Sequence, residues 1–233
     1  MNQRTAALAL LALIALVAVS VPAGAARAQS SVVDEGSFVL TKGGTRVGRE
    51  DFVIRRIRSS APDMMQVSGT VAVGDRRLAP AMESDSDGVP IRYQLEERRG
   101  GQLEESLRAQ FSRGRAIVHS RAKSGEATRE FAVPDGALLL DDDVFAHYYF
   151  LARAGRAGGV PVVVPRRNAL LTVRVEQRGR ERLDIGGTAI QARELALVDA
   201  AGAQRRVWVD DRGRVLKVID DRGLMAVRED PPR

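Results

Sequence analysis

The sequence predicts a mainly β protein in which a large, strongly curved antiparallel sheet, a half-barrel, wraps around one α-helix. Three observations lead to this prediction. Apolar and polar residues alternate along most of the chain, glycine and Asp-Gly turns separate the alternating segments, and one amphipathic segment interrupts the rhythm. A solitary helix needs a broad apolar surface on which to bury its apolar stripe, and the concave side of a curved sheet offers one.

The first half of the chain predicts a series of strands. Residues 37–42 and 45–57 flank Gly43-Gly44, a dipeptide that favours a two-residue hairpin turn, and we expect the second strand to bend near Gly48. The other segments with a period of two are predicted as strands at 64–73, 89–95, 116–122 and 127–133. Side chains on one face of these strands are apolar and those on the other are polar, as in a sheet with one solvated face.

The second half continues the pattern, with strands predicted at 162–164, 170–175, 188–198, 206–209, 215–219 and 224–227. The clearest turn is Asp210-Asp211-Arg212-Gly213, which joins Val207-Trp208-Val209 to the strand that begins at Val215. The same four residue types recur at 220–223, so we interpret this region as an up-and-down meander.

The one helix is predicted at 141–155. Asp141, Asp142 and Asp143 stand where a helix N-terminus favours negative charge, and Arg153 and Arg156 stand where its C-terminus favours positive charge. Gly155 or Gly158 can end the helix. Its apolar residues form one stripe, which consists of Val144, Phe145, Tyr148, Leu151 and Ala152.

The first 28 residues predict a signal peptide, which leaves 29–233 as a single domain. Arg4 precedes an uncharged apolar run over 6–21, and Ala26-Arg27-Ala28 has the small-x-small pattern of a cleavage site. No later segment has the ~18 consecutive apolar residues of a membrane span. The chain has no cysteine, which excludes disulfides, thiolate metal sites and a cysteine-linked lipid anchor. We therefore expect a periplasmic or secreted protein without a stable membrane span after cleavage.

The basic composition does not indicate a nucleic-acid partner. All of the Lys and Arg residues except Lys42, Lys123 and Lys217 are arginine, and they are scattered among 30 acidic residues in runs no longer than a pair. A surface that binds phosphate backbones usually has clustered basic residues with aromatic residues between them, and aromatic residues are only 4% of this chain.

Two motifs resemble a known structural neighbourhood. The first is Gly36-Ser37-Phe38-Val39-Leu40 with Gly44 and Gly48, and the second is Val207-Trp208-Val209-Asp210 with Gly213-Arg214-Val215-Leu216. Together with export and a sheet around one helix, they resemble exported bacterial proteins of unknown function close to the β-clam superfamily of lipoprotein carriers and putative glycolipid-binding proteins. The resemblance implies an apolar groove between sheet and helix that holds an acyl chain or similar amphiphile. It carries over no functional residues.

A packing argument also favours a hydrophobic ligand. A sheet of about a dozen strands encloses a large concave volume, and one helix with few aromatic residues is not enough to fill it to the native packing density of about 0.75. Empty apolar volume destabilises a core by about 24 cal/mol per Å³, so a ligand that fills it would bind. The predicted ligand-binding residues are Phe145, Tyr148, Tyr149 and Leu151 on the helix and Tyr93, Phe131 and Trp208 on the facing wall.

Other readings of the same residues stay open. Taken singly, apolar residues at periodic positions are more often ordinary core than ligand contacts. The first alternative is therefore a cell-envelope structural or interaction module with a closed core, which would bind an envelope protein through its outer or edge strands. A hydrolase acting on envelope material is the third hypothesis, and a histidine bonded to a carboxylate in an open cleft would favour it.

Neither catalysis nor a cofactor is predicted. His119 falls in a strand and His147 lies beside the helix stripe, and no Gly-x-Ser-x-Gly or His-Glu-x-x-His motif accompanies them. Acids at alternate positions in 83–88 match the first half of a calcium loop, but Pro90 and Gln94 do not fit its second half. We predict no enzyme activity, no metal and no cofactor.

Overall fold

The computed structural model of the protein describes residues 29–58, 62–154 and 159–233, and its strands form one sheet. The strands of its first half are β1 Gln29–Lys42, β2 Thr45–Arg58, β3 Met64–Val73, β4 Arg76–Asp85, β5 Pro90–Arg99, β6 Gln102–Ser112, β7 Arg115–Ala122 and β8 Gly125–Ala132. Those of its second half are β9 Leu138–Leu139, β10 Val160–Val164, β11 Ala169–Ile185, β12 Thr188–Asp199, β13 Gln204–Val209, β14 Val215–Ile219 and β15 Leu224–Arg228.

The sheet is open, and its strand order is β8-β7-β6-β5-β4-β3-β2-β1-β15-β14-β13-β12-β11-β10-β9. Neighbouring strands are antiparallel except β9 and β10, which are parallel. Most connections are hairpins between neighbours, and the first and last strands pair side by side to join the two halves, with Phe38 opposite Arg228. The predicted fold class, a large curved antiparallel sheet around one short helix, is confirmed.

Three strands were not predicted, and a fourth is longer than expected. β4 and β6 lie in segments where charged residues and Pro80 weaken the alternation, and β9 pairs through only two residues. β11 continues ten residues past Val175 to Ile185, and most of this extension is exposed on both faces. Pairing with β12, rather than burial of one face, therefore defines that part of the strand.

The helical segment is shorter than predicted. A 3₁₀ turn at Phe145–His147 leads into the α-helix α1, Tyr148–Arg153. The three aspartates before it are not helical: Asp143 has a φ of 63°, and their side chains bind arginines of neighbouring elements instead of capping a helix. The proposed terminators Gly155 and Gly158 lie outside the described residues, as does the predicted signal peptide at 1–28. In the described ranges, no helix has the length and apolar character needed to cross a bilayer.

Apolar side chains are buried on both faces of the sheet. On the inner face, residues from both halves of the sheet and from the helix form one large core that includes Phe38, Ile54 and Leu197. On the outer face, a smaller cluster contains Ile185, Ala192, Trp208 and Leu216. The tip of the β11–β12 hairpin closes this outer cluster, so its residues are buried without facing the helix.

Glycines allow two neighbouring strands to approach closely. A Cβ atom on Gly48 would collide with the carbonyl oxygen of Ala72, and one on Gly69 would lie 2.5 Å from the carbonyl oxygen of Asp51. The register between β1 and β2 also shifts beside Gly48, between Leu40 and Thr41, where the sequence predicts a bend. This region of the sheet therefore requires residues without side chains.

Candidate functional site

A buried carboxyl group holds the start of the helical segment on the sheet. Glu50 lies on the inner face of β2 and is fully buried, and its two carboxyl oxygens accept hydrogen bonds from the backbone N–H groups of Phe145 (2.7 Å) and Ala146 (3.0 Å). Burial raises the pKa of Glu50 to about 8, although the two N–H donors favour its charged form. This contact fixes where the helix begins relative to β2.

Asp141 is the centre of a second buried polar cluster. It accepts a hydrogen bond from the Tyr93 hydroxyl (2.6 Å), and Arg166 donates from Nε to both carboxyl oxygens at 3.1 Å. The backbone N–H of Asp141 donates to His147 Nδ1 at 3.2 Å, which makes this ring nitrogen the acceptor and the imidazole neutral. Burial lowers the pKa of His147 to about 3, consistent with a neutral ring that orders the turn.

Asp143 connects the helical segment to both halves of the sheet. It binds Arg76 of β4 at 2.6 Å and Arg222 in the turn before β15, and Arg76 also binds Glu97 of β5 at 2.7 Å. Burial raises the pKa of Asp143, but the hydrogen bond from Arg76 and the charge of Arg222 outweigh it and the net shift is downward. The pKa of Glu97 is lowered mainly by its hydrogen bond from Arg76.

The predicted ligand-binding residues lie mainly within the closed core. Phe145, Tyr148, Tyr149 and Leu151 are each at most 5% exposed, and all four belong to the inner cluster together with Tyr93. Phe131 is partly buried and packs against the same cluster. The space between helix and sheet that the sequence argument expected to be empty is therefore occupied by side chains.

Trp208 is the exception among the predicted residues. Val207 and Val209 belong to the inner core, so Trp208 between them points to the outer face and packs in the outer cluster. The cations of Arg206 (4.6 Å from the ring centroid) and Lys217 (4.4 Å) both lie close to its ring. The prediction that Trp208 lines the wall opposite the helix is wrong for this reason.

A cavity of about 550 Å³ lies at the C-terminal end of α1. Its apolar side chains come from β3, from the helix and from the residue after the helix, and they are Met65, Tyr149, Phe150, Ala152 and Ala154. Its charged lining consists of Arg56, Arg153, Arg193, Arg212, Asp87 and Asp211. Of the predicted ligand-binding residues, Tyr149 is the one that reaches this cavity. We take it as the candidate site because it combines a large volume with convergent apolar and polar groups.

Two contacts fix the geometry of Arg153 in this site. Its guanidinium lies 5.0 Å from the centroid of the Tyr149 ring, and its Nη1 donates a 2.7 Å hydrogen bond to the carbonyl oxygen of Arg212. Arg212 belongs to the turn after β13, which Asp210 orders by accepting hydrogen bonds from the backbone N–H groups of Arg212 (2.9 Å) and Arg214 (2.8 Å). The helix end and this turn therefore form one wall.

Sequence reasoning missed most of the cavity, although two of its arginines had a readable signal. Arg193 lies on the same face of β12 as Leu195 and Leu197, and Arg56 lies on the same face of β2 as Phe52 and Ile54. A period of two places both arginines on the inner face, where an apolar residue is expected. Arg153 and Arg212 had no such signal, because their meeting depends on how the helix packs against a distant turn.

The histidines do not lie in an open cleft. His147 is 1% exposed and its Nε2 atom has no hydrogen-bond partner among the described residues, while His119 is exposed on β7 and its Nδ1 is 2.9 Å from the Thr128 hydroxyl. Within 29–58, 62–154 and 159–233, no three histidine or acidic side chains converge as metal ligands. In the acidic loop after β4, Asp85 Oδ1 accepts hydrogen bonds from the backbone N–H groups of Asp87 and Val89, both at 2.9 Å.

Comparison with known proteins relates the chain to one solved fold. No protein-family model and no curated protein matches it. The chain is similar to a crystal structure from Brucella abortus, described as a β-barrel-like protein of the domain of unknown function DUF1849. The TM-score is 0.52 and the identity 12%, over 84% of this chain and 95% of that one. The likeness shows a β-rich fold shared with a bacterial protein of unknown function, and it does not point to the β-clam superfamily in particular.

Proposed function

We propose that the protein is an exported, non-enzymatic binding protein that holds a lipid or similar amphiphile in the cavity at the C-terminal end of α1. The observation that carries the proposal is this cavity of about 550 Å³, which lies within the usual range of about 300–1,000 Å³ for ligand sites. Export rests on the charged, apolar and small-residue pattern of the first 28 residues.

The position of the cavity determines where such a ligand would bind, which is at the end of the helix and not between the helix and the sheet. The inner core is filled by the protein's own side chains, so an acyl chain would not run along the helix. Met65, Phe150 and Ala152 instead provide a short apolar surface at the helix end, with Tyr149 beside Arg153 at its border. A ligand with one apolar and one polar end matches this division.

The proposal predicts that an amphiphile copurifies with the mature protein. The full chain would be expressed with its signal sequence in a bacterium, and the purified product extracted with organic solvent for mass spectrometry. Ala152→Phe and Ser86→Trp place bulk in the cavity and should each lower the retained ligand at least about tenfold, a difference of about 1.4 kcal/mol in binding.

Ala200→Phe adds the same bulk as Ala152→Phe to an exposed turn and should retain the ligand like the wild type. Thermal unfolding of all four proteins separates a filled cavity from a damaged fold. If no protein carries an amphiphile and none binds one that is added back, the proposal is wrong.

A second candidate function is an envelope interaction module that pairs with a partner strand along β8. This strand is one edge of the open sheet, seven of its eight residues are exposed, and the core beside it is closed. Exposed edge strands are the usual sites of strand addition. Ala127→Lys should then abolish association with a partner, whereas Ala200→Lys should not, as measured by light scattering coupled to gel filtration. Equal association by both variants would contradict this function.

A further inference from the structure

On two strands in different parts of the sheet, the buried apolar row of the inner face is continued by an arginine. The inner row of β2 runs through Phe52 and Ile54 to Arg56, and that of β12 runs from Leu197 through Leu195 to Arg193. Both arginines line the cavity at the end of α1. The apolar interior of the sheet therefore ends, at this opening, in guanidinium groups.

These guanidinium groups have no acidic partners. In the described part of the chain, no carboxylate lies within ion-pair distance of Arg56, Arg153, Arg193 or Arg212, and the Nε of Arg56 is buried without a hydrogen-bond acceptor. Several partly buried arginines elsewhere in the fold behave differently. Arg76 and Arg166, for example, each bind two carboxylates. A buried donor without an acceptor is unfavourable. A ligand that supplies a negatively charged or polar acceptor would therefore be stabilised in this cavity.

The net charge of the lining is positive. Four arginines and two aspartates, Asp87 and Asp211, face the cavity. On β11, Arg180 stands directly opposite Arg193 and extends the positive surface along the hairpin. Among the described residues, the Arg153 guanidinium makes one hydrogen bond, to the Arg212 carbonyl, and it has five donors in a planar fork.

A purely structural role for these arginines explains less of their arrangement than anion binding does. Arginine stems often cover apolar surface while their head groups stay in water, and this would explain a single arginine at the rim. It does not explain why four arginines from β2, α1, β12 and the turn after β13 converge on one cavity without forming ion pairs among the described residues, in a chain where acids pair with most of the partly buried arginines elsewhere.

We propose that these four arginines bind the anionic head group, a phosphate or carboxylate, of the amphiphile whose apolar part contacts Met65, Phe150 and Ala152. Arginine forks suit both anions because each presents paired acceptor oxygens. The inference rests on the proposed function and adds the chemical class of the ligand.

The test measures binding of three probes to the mature protein by titration calorimetry. Short-chain phosphatidylglycerol and phosphatidylcholine share the same acyl chains and differ in net charge, and inorganic phosphate supplies the anion without a tail. We expect phosphatidylglycerol to bind at least about tenfold more tightly than phosphatidylcholine, with an affinity that falls as salt is added.

Matched double variants assign the effect to the cavity. Arg56→Gln/Arg193→Gln should weaken binding of phosphatidylglycerol by at least about tenfold and leave that of phosphatidylcholine unchanged. Arg46→Gln/Arg108→Gln removes the same charge from exposed positions on β2 and β6 that have no ion pair with a described residue, and it should change neither. The single variant Arg193→Gln serves in the same role if the double variant has a lower melting temperature.

The outcomes separate this inference from the proposed function. Equal binding of both lipids overturns the anionic head group while supporting an amphiphile carrier. Binding of neither lipid overturns the carrier. Inorganic phosphate that binds as tightly as phosphatidylglycerol supports anion recognition by the arginines and overturns the amphiphile.

Discussion

Replacing Glu50 with alanine should lower the free energy of unfolding by about 4 kcal/mol, since it leaves two buried N–H groups without an acceptor, at about 1–3 kcal/mol each, and opens a cavity. The two N–H groups are those of Phe145 and Ala146. Because they begin the helical segment, the loss should also loosen the position of α1. Denaturant unfolding followed by circular dichroism measures the change.

Two further substitutions calibrate the Glu50 result. Glu96→Ala removes a carboxylate of the same kind from an exposed ion pair with Arg98 and should change stability by less than about 0.5 kcal/mol. Glu50→Gln keeps one acceptor oxygen but turns an NH₂ group toward the second backbone donor, so its effect should fall between the other two. A Glu50→Ala protein as stable as Glu96→Ala would show that the carboxylate does not hold the helix.

The same residue makes stability depend on pH with a defined sign. The pKa of Glu50 is about 8 in the folded state and near 4.5 when unfolded, so between these values the folded state binds the extra proton. Its contribution is complete below pH 4.5 and is lost as the pH rises through 8, by up to about 1.4 kcal/mol per pH unit. His147, with a pKa lowered to about 3, acts in the opposite direction between pH 3 and 6.5.

The contributions of these two groups offset each other from about pH 4.5 to 6.5, and above this range only Glu50, of the two, makes stability depend on pH. The difference in unfolding free energy between wild type and Glu50→Gln should therefore shrink from pH 5 to pH 9. Taking the difference cancels the contributions of groups common to both proteins. A difference that stays constant or grows over this interval would contradict the raised pKa.

Removing the charge of Asp34 should destabilise the protein by about 3–5 kcal/mol, because it leaves a buried guanidinium without its counter-charge. Arg228 of β15 is 3% exposed and Asp34 of β1 is 4% exposed, and the two are joined by hydrogen bonds of 2.8 and 3.0 Å. Asp34→Ala followed by urea unfolding measures the effect.

A double variant separates the stability that the ion pair contributes from the cost of leaving one buried partner unpaired. Arg228→Met/Asp34→Leu replaces both charges with apolar side chains and should recover most of the stability lost in Asp34→Ala, since neither partner is then left unpaired. The exposed pair of Arg115 and Glu130 provides the control, and Glu130→Ala should have an effect below about 1 kcal/mol. If Asp34→Ala matches Glu130→Ala, the buried pair is not important for stability.

The extent to which the fold could be predicted depended on how strictly each strand separates its two faces. In β3, Met65, Val67 and Val71 are buried and their neighbours are more exposed, so the period of two was visible. In β6 only Leu107 and Ala109 are buried, and charged residues hide the pattern. The prediction that the helix begins at the three aspartates was wrong for another reason. Arginines far away in the sequence bind the carboxylates of these aspartates.

The sequence predicted which tyrosines lie near the helix, but it did not predict the position of the cavity. Sequence reasoning placed Tyr149 and Tyr93 in the same region as the helix, and both belong to the inner core. It could not show that the core is full, because filling depends on how tightly the sheet curls and not on the order of residues along any strand. The cavity lies where the end of α1 meets the turn after β13, and that position follows from tertiary packing alone.

The pairing of β1 with β15 has a consequence for assembly. These strands come from opposite ends of the described chain, and the buried Asp34–Arg228 pair lies across the same junction. The two halves of the sheet therefore cannot unite until the last strand has been synthesised. Contacts of such long sequence separation make folding slow, and the unjoined edges of β1 and β14 stay exposed to wrong pairing until then.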